Sequence, residues 1–314
     1  MAKKQTIQHL IHNELVSRIA FGNSKHEDKK TLEFGESSYK IYSYSTYNTY
    51  LKEVTAYARW LREEKGISKA TDLRSTEQYA KEYLQYRLDK GISVYTLKME
   101  RSALSMPYSK QIDISLPKRN NRAIVRSRKA TENDRHYSRE GKYKDVFIIA
   151  VASGSRRKDL TNLHTSDLIE KNGNLYISFK GSKGGRNRLS PVRREYVKQV
   201  QEIFLKRQIE GKEKVLDKVP RKIDVHSLRR EYAQNLYCDI QRDAVLREEY
   251  LKQYPMRKEL KTQKNKDGVV YTKEIKTKTY KDREGNIYNR DDLYIISQAL
   301  GHNRVDTSIA HYLK

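Results

Sequence analysis

The sequence predicts a mainly α-helical protein with a small β-sheet, built as a helical domain followed by a mixed α/β domain. Apolar residues recur at three- and four-residue steps between residues 45 and 108. The second half combines helical segments with two strand-like runs around a Gly-Gly turn. At 314 residues the chain exceeds what one hydrophobic core usually organises, so two domains are expected.

Three helices are expected in the first domain, residues 43–110. The first has Ser45 or Thr46 as its N-cap and ends at Gly66, the second covers residues 75–90, and the third opens at Ser93. Residues 1–42 form a helical lead-in that the sequence does not assign further. A cationic stretch with little periodicity follows at residues 111–140 and indicates a basic linker.

The second domain, residues 141–314, is expected to alternate helices with one hairpin. A buried helix precedes Gly154, a short helix follows it, and the runs in "NLYISFKGSKGGRNRLSPV" predict two paired strands. Another helix starts close to Asp224. Residues 239–290 are lysine-rich and polar and predict a β-hairpin insertion around the turn "KDREG", after which helix returns at Asp291.

The charge of the chain points to a polyanionic partner. The chain has 65 Lys and Arg residues and 40 Asp and Glu residues, which gives a formal net charge of +25. Nucleic acid is the first expectation and an anionic membrane surface the second. The longest apolar run, Val146–Ala152, is far shorter than the ~20 residues needed to span a bilayer, so no membrane partner is expected and the protein is predicted to be cytoplasmic. The single cysteine, Cys238, excludes an intrachain disulfide.

Cationic groups in two stretches could bind one phosphate. In "HSLRR", His226 and Arg229 stand three apart on a helix and project from one face. In "GSRRKDL", Arg156 and Arg157 lie where a helix begins. Two guanidinium groups can grip the non-bridging oxygens of a phosphate, because each donates two parallel hydrogen bonds.

Two further stretches add chemistry-bearing side chains. Lys183 sits beside the hairpin turn, where it could enter a groove of DNA, and Lys180 lies three residues before it. His302 follows a glycine in "LGHNRVDTSIAHYLK", and Tyr312 lies ten residues beyond that histidine.

Together these stretches resemble the tyrosine recombinase (phage integrase) family. "ASGSRRKDLTNL" is similar to the family's first arginine box, "SKGGRNRLSPV" to its lysine hairpin, "HSLRREYA" to its His-x-x-Arg box, and "LGHNRVDTSIAHY" to its final segment. The resemblance implies a helical core DNA-binding domain at 43–110 and a catalytic domain at 141–314. It implies a site-specific recombinase or integrase, of a phage or other mobile element, that works through a 3′-phosphotyrosyl intermediate.

The resemblance also assigns roles to residues. Tyr312 would be the nucleophile, Lys183 the acid that protonates the leaving oxygen, and His226 an aid to proton transfer. Asp159 would support the first arginine, and the groups that neutralise the transition state would be Arg156, Arg229 and His302. Arg157 competes with Arg156 for its role, and Lys180 with Lys183. No metal and no other cofactor is expected.

The resemblance implies double-stranded DNA as partner, a homotetramer on two DNA sites, and accessory DNA-bending or directionality proteins. A type IB topoisomerase-like enzyme and a catalytically silent DNA-binding relative are the alternatives.

The interval from His302 to Tyr312 is one residue longer than the commonest family spacing, which leaves His311 at the expected place. We therefore expect a local shift in the helix that carries Tyr312.

Overall fold

The computed structural model divides the chain into two compact units, residues 1–120 and 121–314. It describes residues 4–33, 36–118, 137–182, 186–255, 260–275, 277–282, 284–302 and 305–313. Helices predominate in both units, and the named strands form small antiparallel sheets. The predicted fold class, mainly helical with a small sheet, is confirmed.

The first unit is helical. Its elements are β1 (Gln5–Thr6), α1 (Ile7–Ser17), α2 (Lys25–Lys30), α3 (Tyr44–Lys65), β2 (Lys69–Ala70), α4 (Glu77–Asp89) and α5 (Val94–Tyr108). Helix α3 begins earlier than predicted, because Ser43 supplies the cap: its Oγ accepts from the N–H of Thr46 at 3.2 Å. The helix ends at Gly66 as expected, in the left-handed conformation (φ 67°) that glycine adopts without steric cost.

The core of the first unit includes residues outside the predicted helical domain. Helix α1 buries Ile7, Ile11 and Leu15, which recur at four-residue steps, against the same cluster as α3, α4 and α5. Ile112 and Ile114, from the start of the predicted linker, join this cluster. The predicted lead-in and the first residues of the predicted linker therefore lie within the first unit. Residues 119–136 of that linker are outside the described residues.

The second unit combines a three-stranded sheet with helices and two separate two-stranded hairpins. Its elements are α6 (Lys144–Ser153), α7 (Arg157–Thr161), β3 (Leu168–Lys171), β4 (Asn174–Ser182), β5 (Arg186–Pro191), α8 (Val197–Ile209), α9 (Val225–Arg242), α10 (Ala244–Gln253), β6 (Leu260–Lys264), β7 (Val270–Glu274), β8 (Thr279–Lys281), β9 (Ile287–Asn289), α11 (Arg290–Ala299) and α12 (Val305–Ser308). A π-helical turn, Ile309–Leu313, follows α12. Strand β4 is central in the order β3-β4-β5, and β3 extends the predicted hairpin by one strand.

The lysine-rich insertion contains two hairpins. Strands β8 and β9 pair around the turn "KDREG", with Tyr280 opposite Tyr288, as predicted. The run "VYTKE" pairs instead with the upstream segment Leu260–Lys264, so that β6 and β7 form a separate two-stranded ribbon. The first part of the insertion is helical, since α9 continues to Arg242 and α10 follows it.

Across the described part of the chain, no helix combines the length and apolarity needed to cross a membrane.

One ion pair lies at the edge of the first unit's core. Glu100 of α5 is fully buried, and Arg87 of α4 donates to its carboxylate through Nη2 at 2.6 Å and Nε at 3.2 Å. A buried carboxylate without its partner destabilises the folded state, because it has lost its hydration and has no ion pair to compensate. The single tryptophan, Trp60, lies in the same core and reports on its unfolding.

We expect Arg87→Met to destabilise the first unit by about 3 kcal/mol, because the substitution leaves Glu100 buried and unpaired. Urea denaturation followed by the fluorescence of Trp60 measures this change. The matched control is Arg62→Met, which removes the exposed pair between Arg62 and Glu63 and should change stability by less than ~1 kcal/mol. Equal effects of the two substitutions would contradict the role given to burial.

Candidate active site

Carbonyl groups at the ends of two helices hold three arginines in the second unit. At the end of α6, the carbonyl of Gly154 accepts from Arg188 Nη2 at 3.3 Å and from Arg229 Nη1. After α11, the carbonyl of Leu300 accepts from Arg156 Nη2 at 3.1 Å and from Arg229 Nη2. The last carbonyls of a helix lack partners within the helix and carry its negative dipole end. These carbonyls are therefore good hydrogen-bond acceptors for the N–H groups of charged guanidinium side chains.

Arg156 and Arg157 point to different parts of the unit. Arg156 precedes α7 in extended conformation, and its Nη1 donates to Ser182 Oγ of β4 at 2.7 Å. The guanidinium of Arg157 instead donates to the carbonyls of Pro220, Arg221 and Ile223. The structure thus places Arg156 at the helix ends with Arg229, and Arg157 against the loop before α9.

Asp159 connects Arg156 to the sheet. Its carboxylate accepts from the backbone N–H of Arg156 at 3.0 Å, from Ser182 Oγ at 2.9 Å and from Arg188 Nη2 at 3.0 Å. Burial favours the neutral acid, but the charge of Arg188 and these hydrogen bonds outweigh it and hold the pKa of Asp159 below its usual range. Asp159 is therefore a buried carboxylate that fixes the arginines around it.

Arg188 is a central residue to which the sequence analysis gave no role. Its side chain is 3% exposed, its Nη1 donates to the carbonyl of Ala299, and its guanidinium lies 4.2 Å from the ring centroid of Phe179. Gly301 (φ 65°) packs so closely that an added Cβ would lie 2.7 Å from Arg188 Cδ. The signal that could have found it is its position in the quoted stretch "SKGGRNRLSPV", where it is the arginine three residues before Pro191.

Arg229 lies at the centre of the site and is 1% exposed. Its Nε donates to Tyr312 Oη at 3.2 Å, and its Nη2 lies 3.3 Å from His302 Nε2. Burial, reinforced by the charge of Arg188, lowers the pKa of Arg229 to about 9. The group stays charged at neutral pH, and an anion placed beside it would relieve both effects.

Tyr312 is held between two histidines. Its ring centroid lies 5.3 Å from that of His226 on α9 and 5.2 Å from that of His302. The tyrosine is 5% exposed, and the guanidinium of Arg229 lies 5.3 Å from its ring centroid. Five of the predicted residues therefore meet in one place: Arg156, Arg229, His226, His302 and Tyr312.

The predicted lysine, Lys183, is outside the described residues. Its competitor Lys180 on β4 is described: its side chain is 71% exposed, and its Nζ lies 3.3 Å from Asp167 Oδ1. Lys180 is therefore engaged with a carboxylate of the 3₁₀ turn Thr165–Asp167.

Tyr312 reaches the site through an irregular helix end. Residues Ile309–Leu313 form a π-helical turn directly after α12. Such a turn holds one residue more than an α-helical turn, and the sequence between His302 and Tyr312 is one residue longer than the commonest spacing of the family that it resembles. The π-helical turn is a local shift of the expected kind. The side chain of His311 is outside the described part of the chain.

The described groups of the site carry an excess of positive charge. Three guanidinium groups, those of Arg156, Arg188 and Arg229, share the carbonyls of Gly154 and Leu300, and one carboxylate, Asp159, contacts the first two of these arginines. Within the described residues, no cluster of three or more His, Cys, Asp and Glu side chains could hold a metal ion. The arrangement places a guanidinium donor directly at the hydroxyl of Tyr312 and would stabilise negative charge there.

Comparisons with known proteins give matches to solved structures alone. No family model matches the sequence, and no curated protein matches it. The chain is similar to the XerH site-specific recombinase bound to palindromic difH substrate in a post-cleavage complex, with 16% identity, a TM-score of 0.49, and coverage of 97% of this chain and 90% of that one.

Two other similar structures are a transposon integrase and a second recombinase. The Tn1549 transposon integrase in complex with circular intermediate DNA is 13% identical, with a TM-score of 0.43 and coverage of 98% of this chain and 95% of that one. XerA recombinase is 14% identical, with a TM-score of 0.32 and coverage of 97% and 94%.

We expect Asp159→Asn to destabilise the second unit by about 3 kcal/mol at neutral pH, because it leaves Arg188 buried without its carboxylate. The pKa of Asp159 is lowered in the folded protein, so its contribution is complete above the unfolded value of about 3.9 and is lost as the pH falls below that value. The difference between wild type and variant should shrink over the same range. Urea denaturation followed by far-UV circular dichroism at several pH values measures it.

The matched control for this experiment is Glu202→Gln, which neutralises an exposed carboxylate on α8. We expect it to leave stability almost unchanged at every pH. A difference between wild type and Asp159→Asn that stayed constant down to the acid limit of folding would contradict the charged role of Asp159.

Proposed function

We propose that this protein is a site-specific DNA recombinase in which Tyr312 cleaves and rejoins DNA strands through a 3′-phosphotyrosyl bond. The observation that supports this proposal most directly is the setting of the Tyr312 hydroxyl. It accepts a hydrogen bond from Arg229, and two histidine rings flank the tyrosine. A tyrosine that served packing alone would not need a guanidinium donor at its hydroxyl and two imidazole rings beside its own ring.

The excess of guanidinium groups supports a phosphodiester as the group attacked. Arg156 and Arg229 are anchored through Leu300 and are joined to Asp159 and Arg188. Fixed donors in a site from which water is largely excluded stabilise charge as it develops on the transferring phosphoryl group. Burial and the charge of Arg188 lower the pKa of Arg229, and a phosphate bound beside this guanidinium would stabilise its charged form.

The proposed reaction has two balanced steps. The oxygen of Tyr312 attacks phosphorus and loses its proton, the bond from phosphorus to the 5′ oxygen breaks, and that oxygen leaves as a 5′-hydroxyl after gaining a proton. A 5′-hydroxyl then attacks the phosphotyrosine and loses its proton, the bond from phosphorus to the Tyr312 oxygen breaks, and that oxygen regains a proton. Dividing one displacement in this way lowers each barrier. The energy of the broken linkage is kept in the covalent bond, so the steps balance without a nucleotide.

The remaining predicted residues take the proton-transfer and charge-stabilising roles. His226, whose ring is adjacent to that of Tyr312, would assist transfer of the phenolic proton, and His302, which contacts Arg229, would stabilise the phosphoryl oxygens. We assign protonation of the leaving oxygen to Lys183 on the basis of the hairpin motif. The ion pair of Lys180 with Asp167 supports this choice over Lys180.

Double-stranded DNA is the proposed substrate and partner. The net charge of +25 supports this choice, since a surface so basic repels itself unless a polyanion binds. We further propose a homotetramer on two DNA sites, assisted by accessory DNA-bending or directionality proteins, acting in integration of a mobile element in the cytoplasm. Religation of the same strand without exchange would instead indicate a topoisomerase-like enzyme.

The first test is a covalent trap. The full-length protein is incubated with nicked duplexes of random sequence, denatured in detergent, and any DNA still attached is sequenced. We expect adducts with the wild type and none with Tyr312→Phe, because the substitution removes only the attacking oxygen. The matched control is Tyr137→Phe, at an exposed tyrosine whose ring meets that of Tyr143 edge to face, and it should form adducts like the wild type.

Adducts that persist in Tyr312→Phe would move the nucleophile elsewhere. A wild type that binds these duplexes but yields no adduct under any condition would favour the catalytically silent DNA-binding relative. The sequences recovered from the adducts identify the cleavage site.

The two adjacent arginines provide a second test. We expect Arg156→Ala to lower the rate of adduct formation by about 10²- to 10³-fold, as removal of one charge-stabilising donor does in other enzymes. Arg157→Ala should lower stability, because its carbonyl contacts with the loop 220–223 are lost, and should reduce the rate much less. Single-turnover adduct formation, with circular dichroism as a folding check, measures both. The opposite order would assign the catalytic role to Arg157.

A further inference from the structure

The hairpin formed by β6 and β7, which we call the ribbon (residues 260–274), stands apart from the cores of the second unit. Its two strands pair with each other in a sheet of their own, with Thr262 opposite Thr272 and Gln263 opposite Tyr271. Between residues 262 and 273, each described residue except the half-buried Gln263 is exposed. A two-stranded hairpin with no core on either face is marginally stable in water. It is therefore a structure that gains from a partner.

The ribbon is well defined in spite of its exposure. Its turn is closed by Asn265, whose N–H donates to the carbonyl of Val269 at 3.0 Å and whose Oδ1 accepts from the N–H of Val269 at 2.8 Å. Gly268 adopts the left-handed conformation (φ 81°) that the turn requires. The hairpin register is thus fixed by the turn, and its side chains are presented in a set order.

The charge of the ribbon favours an anionic partner. The ribbon contains four lysines and two acidic residues, Asp267 and the half-buried Glu274. The carboxylate of Asp267 is directed back into the turn, where it accepts from Asn265 Nδ2 at 3.3 Å. Lys264, Lys266 and Lys273 are exposed. A second copy of this basic protein would meet the ribbon with like charge, whereas a polyphosphate backbone would meet it with opposite charge.

The uncharged side chains of the ribbon suit a DNA groove. Thr262 and Thr272 contact each other across one face at 3.1 Å, and Gln263 donates to Tyr271 Oη across the other. These side chains carry donors and acceptors of the kind that contact base edges. A two-stranded antiparallel ribbon has the width that the major groove of B-DNA admits.

We propose that the ribbon is a DNA-binding element that enters a groove of the substrate duplex and contacts its phosphates through Lys264, Lys266 and Lys273. The inference rests on the proposed function, because it gives the same DNA a second contact outside the site around Tyr312. In this proposal the lysine-rich insertion binds the duplex, whereas the arginines and Tyr312 carry out strand cleavage and rejoining.

The test compares two triple variants of the full-length protein. The ribbon variant carries Lys264→Gln, Lys266→Gln and Lys273→Gln. The matched control carries Lys198→Gln, Lys206→Gln and Lys218→Gln, which remove the same charge from exposed positions on and beyond α8. The probe is a fluorescent duplex of about 30 base pairs with mixed sequence, and its affinity is measured by anisotropy over a series of salt concentrations.

We expect the ribbon variant to lose roughly 10- to 100-fold in affinity at low salt and its salt slope to fall by about 2 to 3, since each lost phosphate contact lowers the slope by about 1. The control should change the slope by less than about 1. Circular dichroism of the ribbon variant should match that of the wild type, because the three lysines are exposed.

The other outcomes separate this inference from the proposed function. A wild type that does not bind the duplex would overturn both. Equal losses in the ribbon variant and the control would show that only net charge matters and would overturn the ribbon inference alone. So would a ribbon variant that binds DNA normally but no longer self-associates in sedimentation experiments, because the ribbon would then be a contact between protomers.

Discussion

The carbonyl groups at the ends of α6 and α11 hold Arg156, Arg188 and Arg229, and the rest of the site depends on this interaction. Removing a guanidinium group from water is costly, and hydrogen bonds from its N–H groups to backbone acceptors offset part of the cost. Helix ends supply acceptors that have no partner of their own and that carry partial negative charge. Within the part of the chain that the structure describes, the fold therefore buries Arg188 and Arg229 with one carboxylate, Asp159, beside them.

The geometry of the two helix ends follows from two glycines. Gly154 ends α6 with φ 57°, and an added Cβ would lie 2.3 Å from Tyr232 Cδ1, so the helix end approaches α9 as closely as a backbone can. Gly301 after α11 packs on Arg188 in the same way. Close approach at both ends brings the carbonyls within reach of the same guanidinium groups. Positioning of the arginines is thus built into the helix packing and does not depend on flexible side chains alone.

Tyrosine is used for two purposes in this protein, and only contacts distinguish them. The chain has 24 tyrosines and five phenylalanines, so tyrosine supplies most aromatic packing. Tyr232 and Tyr254 donate to the carbonyls of Pro191 and Leu189 and so fix β5, as buried tyrosines usually do when their hydroxyl groups find backbone acceptors. Tyr312 alone among these three meets a guanidinium donor and two imidazole rings.

The sequence by itself determined the helical periodicity, the end of α3 at Gly66, the start of α9, the basic charge, and the residue types of the site in their order along the chain. These are local properties, because caps, glycine ends and apolar spacing act within a few residues. The sequence could not decide which of the adjacent residues Arg156 and Arg157 faces the site. The structure distinguishes them, because Arg157 donates to carbonyls of the loop 220–223.

Tertiary structure alone decided the features that join distant segments. Arg188 is an ordinary strand residue by sequence, and its role arises from Ala299 and Asp159, which lie far from it in the chain. The lead-in helix α1 belongs to the first unit's core because its apolar stripe meets α3 and α5. The pairing of "VYTKE" with an upstream strand, and not with the downstream one, is likewise a choice between partners of similar local propensity. Sequence patterns specify which face is apolar or charged, whereas packing specifies what that face meets.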